Sequence, residues 1–243
     1  MAERTLRVCA LYPDLMNIYA DRGNLLLLER RCSWRGLGFE LSSARLGEEL
    51  DADGADLYYI GGGQDRDQSL CARDLATVKR EALHAAAARG AVILAVCGGY
   101  QLLGDSYELG AETLPGVGLI DLRTVRSDGP RLIGNVAIEV ELEPGERHVL
   151  AGFENHAGRT VLGSGAAPLG RVLRGHGNNG SDGQEGVRQG SVIGTYMHGP
   201  LLPKNSWFAD WLIRTALGVP ELAPLDDRLE DAAHAEARRA AGL

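Results

Sequence analysis

Long apolar runs are missing from this chain. The longest, Leu25–Leu28 and Ala91–Cys97, fall far short of the roughly 20 residues that cross a bilayer, which excludes insertion in a membrane through helices. The opening MAERTLRVCALY has no apolar stretch of the kind a secretory leader carries. Basic charge is in deficit: 25 Lys and Arg against 33 Asp and Glu give a net charge of −8. A nucleic-acid-binding face needs a basic stripe, so no nucleic-acid partner is expected. Cysteine is sparse, and Cys9, Cys32, Cys71 and Cys97 show neither zinc-ligand spacing nor a disulfide framework. No metal ligand set is read. Four unpaired cysteines suit a reducing cytosol, and a soluble cytoplasmic protein is expected. A phosphate-binding loop of the G-x-x-x-x-G-K-S/T type is also lacking, and nothing else in the sequence looks like an ATP site.

What is present is ordinary globular composition, 44% hydrophobic and 24% charged, with 33 glycines in 243 residues. That length fits a single α/β domain. Residues 6–12 (LRVCALY) read as a buried strand ended by Pro13. Asp14 is placed to cap a helix running to about Arg35 and stopped by Gly36. Strands are expected at 39–44 and 56–60, the second running into Gly61-Gly62-Gly63. Residues 70–89 read as a helix closed by Gly90. Ala91–Val96 (AVILAV) is the continuous apolar strand of a parallel sheet buried on both faces. Gly98–Gly104 looks like the start of a helix. Alternating strand and helix imply a doubly wound, largely parallel α/β sheet with flanking helices. Residues 117–196 instead carry strand signals at 134–142, 147–153, 170–174 and 191–196, with a glycine and asparagine loop at 175–183. Ser206–Leu217 reads as a closing helix. Residues 1–220 are assigned to one domain and 221–243 to a charged C-terminal helix or tail.

The central signal is VILAVCGGYQLLG, residues 92–104. A nucleophile between a buried strand and a helix sits on a sharp turn that lifts its side chain out of the sheet. Gly98 and Gly99 would relieve crowding there and admit substrate to the backbone. A helix N-terminus favours thiolate, and the Gly98 N–H is placed to donate to an oxyanion. The plain alternative is that Cys97 is a small buried hydrophobe, as cysteines at the ends of apolar strands usually are. Cys9, Cys32 and Cys71 lack this context and read as structural. A thiol nucleophile needs a base. His198 ends the apolar strand SVIGTYMHGP, and strand ends on one edge of a parallel sheet converge. His156, in GFENHAGRT, competes with it on spacing.

The chain resembles the class I, triad-type glutamine amidotransferases, and specifically the branch shared with cobyric acid synthase. The nucleophile turn of that branch is matched by Cys97-Gly98-Gly99-Tyr100-Gln101-Leu102-Leu103-Gly104. Further matches are LYPDLMNIYADRGN (11–24), IGGGQDRDQ (60–68), RLIGN (131–135), GFENHAGRT (152–160) and GTYMHGPLLPKN (194–205). Within the branch the pieces look most like the glutaminase subunits of lipid II isoglutaminyl synthases, which act in peptidoglycan synthesis. The resemblance implies a flavodoxin-like fold and hydrolysis of L-glutamine through a thioester on Cys97, with His198 as base. It implies an oxyanion hole from Gly62, Gly63 and Gly98, and substrate contacts from Gln101 and Arg131. A guanidinium fork suits a bidentate grip on the α-carboxylate, although Arg131 otherwise reads as a surface cation.

One departure stands out. Many triad amidotransferases read H-P-E, the glutamate orienting the histidine. Here the sequence is His198-Gly199-Pro200, and proline cannot accept a proton. The third member is expected from a partner subunit, with Glu154 and Asp210 as internal alternatives. Because amidating a carboxylate needs activation, the resemblance also implies a MurT-like Mur-ligase partner that holds ATP and Mg²⁺, receives the ammonia and acts on lipid II at the inner face of the membrane. No cofactor is expected in this chain. The region 11–24 reads equally as a partner surface or a structural strand–turn–helix entry. Rival readings are a cobyric acid synthase-type amidotransferase subunit, which would carry an attached nucleotide-binding domain, a catalytically inactive binding module, and another cysteine hydrolase on the same elbow.

Overall fold

Why the first hundred residues alternate strand and helix is visible in β4. In this five-residue strand Val92, Leu94 and Val96 belong to one hydrophobic core, and Ile93 and Ala95 to another. A strand buried on both faces has no polar side, so its sequence is a continuous apolar run. The computed structural model describes residues 4–17 and 22–243. In chain order the elements are β1 (Thr5–Leu11), α1 (Arg22–Ser33), β2 (Gly38–Ala44), β3 (Leu57–Ile60), α2 (Asp65–Asp74), α3 (Arg80–Ala88), β4 (Val92–Val96), α4 (Gly98–Gln101), β5 (Ser106–Leu109), β6 (Glu112–Pro115) and β7 (Leu122–Val125). They continue with β8 (Leu132–Glu143), β9 (Glu146–His156), β10 (Arg159–Leu162), β11 (Gly170–Arg174), β12 (Gln184–Glu185), β13 (Val187–Gln189), β14 (Val192–Thr195), α5 (Ser206–Leu217) and α6 (Arg228–Ala240).

The main sheet runs β13-β14-β4-β3-β1-β2. All its pairings are parallel except β13 with β14. Residues of α1, α5 and the β8–β9 hairpin fill the core on one face, and residues of α2 and α3 the core on the other. The expected doubly wound α/β sheet is therefore present, and two smaller sheets, β10-β7-β5-β6 and β12-β11-β8-β9, are added to it. The sequence did not predict β5, β6, β7, β10, β12 or β13. Each is a short strand of two to four residues, too brief to show a period.

Three expectations need correction. Asp14 does not cap a helix: Tyr12 takes a positive φ of 52°, the chain turns so that Met16 N–H reaches the Tyr12 carbonyl, and Asp14 pairs with Arg45. Helix α1 is described only from Arg22, and Ile18–Asp21, within the 11–24 motif, lie outside the described residues. The helix placed at 70–89 begins earlier, at Asp65, and α2 joins α3 through a π-type turn at Leu75–Lys79. Such wide turns let a residue leave the helical register. Here the fully buried Lys79 ammonium donates to Asp74 and to the Arg45 carbonyl. Finally, α4 is a single turn, so any dipole it adds is that of one turn. A β-carbon on Gly104 would lie 2.2 Å from the Leu122 carbonyl oxygen, and the chain there already belongs to the β5–β7 layer.

The closing helix α5 has the bounds its sequence predicts. The C-terminal segment is tied back through Arg31, fully buried, whose guanidinium pairs with Asp210 of α5 and Asp227 before α6. The loop at 175–183 is anchored: Glu154, fully buried, accepts the N–H groups of His176 (2.6 Å) and Gly177 (2.9 Å).

The turn after β4 is packed tightly on the Ile60–Gly63 segment. A β-carbon at Gly99 would lie 2.6 Å from the Ile60 carbonyl and 2.9 Å from that of Gly61. Gly99→Ala is expected to cost about 2–3 kcal/mol by overpacking. Gly36→Ala, where nothing lies within 4 Å of the added carbon, should cost only about 1 kcal/mol for its left-handed backbone. Urea unfolding of the two variants measures both, and equal losses would contradict this account.

Candidate functional site

Cys97 follows the last residue of β4 and adopts φ 53° and ψ −110°. This is a rare conformation for a residue with a side chain. Its N–H continues the sheet ladder to the Thr195 carbonyl of β14, at 2.8 Å. The elbow is held from below: Gly99 N–H donates to the Gly61 carbonyl at 3.1 Å, and Gln101 N–H to the Cys97 carbonyl at 3.2 Å. A β-carbon on Gly98 would lie 2.0 Å from Gln68 Nε2 and 3.1 Å from Gly63 N. Only glycine lets these backbones meet, and the meeting brings the Gly98 and Gly63 amides to the same wall. Gly62 is buried beside them.

Cys97, Gly63, Gln101 and Arg131 line one cavity of about 700 Å³, together with His156, strand β5 and the loop between β7 and β8. That volume suits a small ligand. Arg131 is exposed at its rim. The guanidinium donates from Nε to Asn155 Oδ1 at 2.9 Å and from Nη2 to the Asn155 carbonyl at 3.0 Å, so the fork is braced and not a free surface cation. Gln101 is buried and belongs to a chain of hydrogen bonds behind the cavity. Gln68 Nε2 donates to Gln101 Oε1 (3.1 Å), Gln101 Nε2 donates to the Tyr196 hydroxyl (3.2 Å), and Tyr196, Thr160 and Thr124 are linked through their hydroxyls at 2.7 and 2.8 Å. The sequence reading missed Gln68, Thr124, Thr160 and Tyr196. They lie far apart along the chain, and only the quoted motifs around 60–68, 152–160 and 194–205 hinted at three of them.

His198 stands three residues beyond β14, the strand paired in parallel with β4, Thr195 opposite Val96. Its backbone exchanges two hydrogen bonds with Phe153, and its ring meets the Phe153 ring edge-on at 5.7 Å. The imidazole is fully buried. Burial, then the neighbouring His156 and the Lys204 ammonium, push its pKa down to about 4. The group is therefore neutral at pH 7 and able to take a proton. The rival base, His156, is fastened differently. Its ring stacks on Tyr196 with centroids 3.5 Å apart, its Nδ1 is 2.9 Å from the Gly158 carbonyl, and its Nε2 is 3.8 Å from Glu154. It lines the cavity but is pinned in the wall. Of the two internal acids, Asp210 is held by Arg31 and Arg35, while Glu154 is occupied by the 176–177 backbone and His156. Pro200, in the place of the expected glutamate, sits 2.8 Å from where a β-carbon on Gly23 would be.

A second buried acid was not foreseen. Glu185 accepts Tyr196 N–H at 2.7 Å and the Thr195 hydroxyl, and burial raises its pKa to about 8. The other cysteines are buried, and burial pushes Cys32 up to about 11 and Cys71 to about 12, the behaviour of inert thiols. Among the described residues no cluster of His, Cys, Asp and Glu is placed to hold a metal ion, and no helix is long and apolar enough to cross a membrane.

Residues 7–206 match the CobB/CobQ-like glutamine amidotransferase domain. The chain is 38% identical to the lipid II isoglutaminyl synthase (glutamine-hydrolyzing) subunit GatD of Streptococcus pneumoniae, over 87% of this chain and 80% of that one. It is 37% identical to GatD of Staphylococcus aureus, over 89% and 88%. Cobyric acid synthase of Pelotomaculum thermopropionicum is 32% identical over 82% of this chain, which spans 38% of that protein. In fold, the chain is similar to one in the structure of PurLQS from Thermotoga maritima, with TM-score 0.62 and 24% identity over 88% of this chain and 98% of that one.

The buried histidine leaves a mark on stability. The unfolded imidazole takes a proton below about pH 6.5 and the folded one only near pH 4. Stability from the neutral ring is thus complete above pH 6.5 and is lost as pH falls toward 4. Between pH 7 and 4.5 the wild type should lose roughly 2–3 kcal/mol more than His198→Gln, measured by urea unfolding. Parallel pH curves for the two proteins would refute the assignment.

Proposed function

The chain belongs to the family of CobB/CobQ-like glutamine amidotransferase domains, and from that premise we propose that it is the glutaminase subunit of a lipid II isoglutaminyl synthase. Support comes from the likeness to two GatD subunits over most of the chain. The carrying observation is structural: a cysteine on a strained elbow and a neutral histidine leave adjacent parallel strands at one edge of the sheet, where the cysteine lines a cavity with a braced arginine.

In this reading glutamine enters the cavity with its α-carboxylate on Arg131 and its side chain beside Gln101. Cys97 Sγ attacks the amide carbon. His198 takes the thiol proton and delivers it to the departing ammonia. Water then attacks the γ-glutamyl thioester, and glutamate leaves. The tetrahedral oxyanion of each step is received by backbone N–H groups of Gly98 and of the Gly62–Gly63 segment, each such donor worth about 3 kcal/mol of transition-state stabilisation. Ammonia passes to a MurT-like Mur-ligase subunit, which holds ATP and Mg²⁺ and activates the α-carboxylate of D-glutamate in lipid II. The pair works in the cytoplasm, at the inner face of the membrane where its lipid-linked acceptor lies. A carboxylate of that subunit completes the triad at His198, the role the H-P-E glutamate has elsewhere and Pro200 cannot fill.

The test is ammonia release and glutamine- and ATP-dependent amidation of lipid II by the co-purified complex. Cys97→Ala should abolish both with glutamine and spare amidation from added ammonium. Arg131→Ala should raise KM for glutamine at least about tenfold with a smaller change in kcat, as expected for lost binding of a charged group. The chain alone should turn glutamine over much more slowly than the complex. Retained glutaminase activity in Cys97→Ala, or transfer to a cobyrinate-type acceptor and not to lipid II, would overturn the proposal.

A further inference from the structure

Gly61-Gly62-Gly63 follows β3 with no side chain of its own to anchor it, and glycine loses the most conformational freedom when it is fixed. Two packed surfaces hold Gly63. On one side is the elbow, where a β-carbon on Gly98 would lie 3.1 Å from Gly63 N. On the other is the turn 12–16. A β-carbon on Gly63 would overlap Met16 Sδ, and would lie 3.3 Å from the Leu15 carbonyl oxygen and 3.4 Å from Met16 Cε. That turn is itself strained and fastened. Among the described residues the non-glycine positions with positive φ are Tyr12 at 52° and Cys97 at 53°. Both stand at the same edge of the main sheet, since Leu11 pairs with Ile60 and Ile60 with Ala95. Strain of this kind persists only where the surroundings over-determine it. Tyr12 donates its N–H to the Ala44 carbonyl (2.9 Å) and its hydroxyl to buried Asp74 (2.7 Å), which also accepts the Lys79 ammonium and the Gly47 N–H (2.8 Å). The Tyr12 carbonyl accepts the Leu15 and Met16 N–H groups at 3.0 and 2.8 Å. This closes the turn and lays the buried Met16 side chain against Gly63.

We propose that Met16 is a positioning residue for the reaction: through the turn 12–16 it fixes the Gly63 amide where that amide receives the oxyanion. The inference rests on the reading of the chain as a glutaminase with Gly63 in its oxyanion hole, and adds the residue outside the cavity that sets this donor. A methionine in a core is ordinarily a gap-filler. Met16 differs in what it fills. Its thioether meets the backbone of a glycine that lines the Cys97 cavity, while Met16 itself lines a separate groove with Leu11 and Leu25. It therefore touches no substrate and acts through Gly63. An oxyanion donor works on charge that is present in the transition state and not in the bound amide, and a misplacement of about 1 Å can cost about a hundredfold in rate. Loss of the support should thus appear in kcat. Glutamine binding, which falls to Arg131 and Gln101, should stay in place.

The test uses the co-expressed complex and three variants, Met16→Ala, Met16→Leu and Tyr12→Phe. Two readouts are taken: kcat and KM for glutamine, and the rate at which iodoacetamide alkylates Cys97, followed by mass spectrometry. Alkylation displaces iodide at a tetrahedral carbon and forms no oxyanion, so it reports the thiol and its base alone. Met16→Ala should lower kcat at least about tenfold with KM little changed, and should leave the alkylation rate as in the wild type. Met16→Leu, close in volume, should recover most of kcat. Tyr12→Phe keeps the ring and removes only the hydroxyl bond to Asp74. It should act in the same direction by a smaller factor, and it reads the same coupling where Met16→Ala does not fold. Wild-type kcat in both Met16→Ala and Tyr12→Phe, or an alkylation rate that falls as far as kcat does, would overturn the inference and leave the glutaminase reading standing. A complex in which wild-type protein releases no ammonia from glutamine would sink that reading itself.

Discussion

One hydrogen bond fixes the geometry on which the site depends, the 2.8 Å link from Cys97 N–H to the Thr195 carbonyl. It is the last rung of the β4–β14 ladder. It holds the backbone of Cys97 to the sheet while its φ of 53° throws the next residues off it. Such a conformation persists only where surroundings over-determine it. Here they do so through the Gly61 carbonyl, the Gln68 amide and the Gly63 backbone, all within contact of Gly98 and Gly99. The same ladder sets how far His198 stands from the elbow, because β14 enters in a register that puts Thr195 opposite Val96. Parallel pairing aims both strands at the same edge, so Cys97 and His198 both follow strands that end there.

Around that rung the protein is unusually polar inside. Glu154, Glu185, His156, Thr124, Thr160 and Gln101 are all buried, and a buried polar group is tolerable when its hydrogen bonds are made. Glu154 and Glu185 spend theirs on backbone N–H groups of the 176–177 loop and of Tyr196. Tyr196 in turn carries the stack with His156 and the hydroxyl contact to Gln101. The added sheets therefore do more than cover the core: they deliver Asn155 and His156 of β9 into the wall of the cavity and Thr160 of β10 into the hydrogen-bond chain behind it. The 175–183 loop, rich in glycine and asparagine, is held because the buried Glu154 carboxylate accepts its His176 and Gly177 amides.

Legibility followed length and period. The apolar run 91–96 and the closing helix Ser206–Leu217 stood out because each carries enough residues to show what it packs against. Strands such as β5, β6 and β7, four residues each, carry no such pattern, and the Asp14 cap failed because a positive φ at Tyr12 is a tertiary matter. Of the proposed site residues, Cys97, Gln101 and the glycines at 62, 63 and 98 were singled out from the sequence, since a strand-to-helix elbow is a local sequence event, and the structure places Cys97, Gln101 and Gly63 on one cavity. The preference for His198 over His156 was not settled by spacing, because both end strands near the same edge. In the structure His156 lines the cavity, stacked on Tyr196 and bonded to the Gly158 carbonyl, whereas His198 stands three residues beyond the strand paired with β4.

The sequence by itself determined the class of fold, the elbow and its family, because buried strands and tight turns restrict residue type at each position and leave a pattern that can be read in order. It also showed that proline stands where a carboxylate is expected. Tertiary structure alone decided that Arg131 is braced by Asn155 and that Asp210 is taken up by Arg31 and Arg35. Charge compensation is a matter of which groups meet in space, and groups separated by tens of residues meet only once the chain has folded.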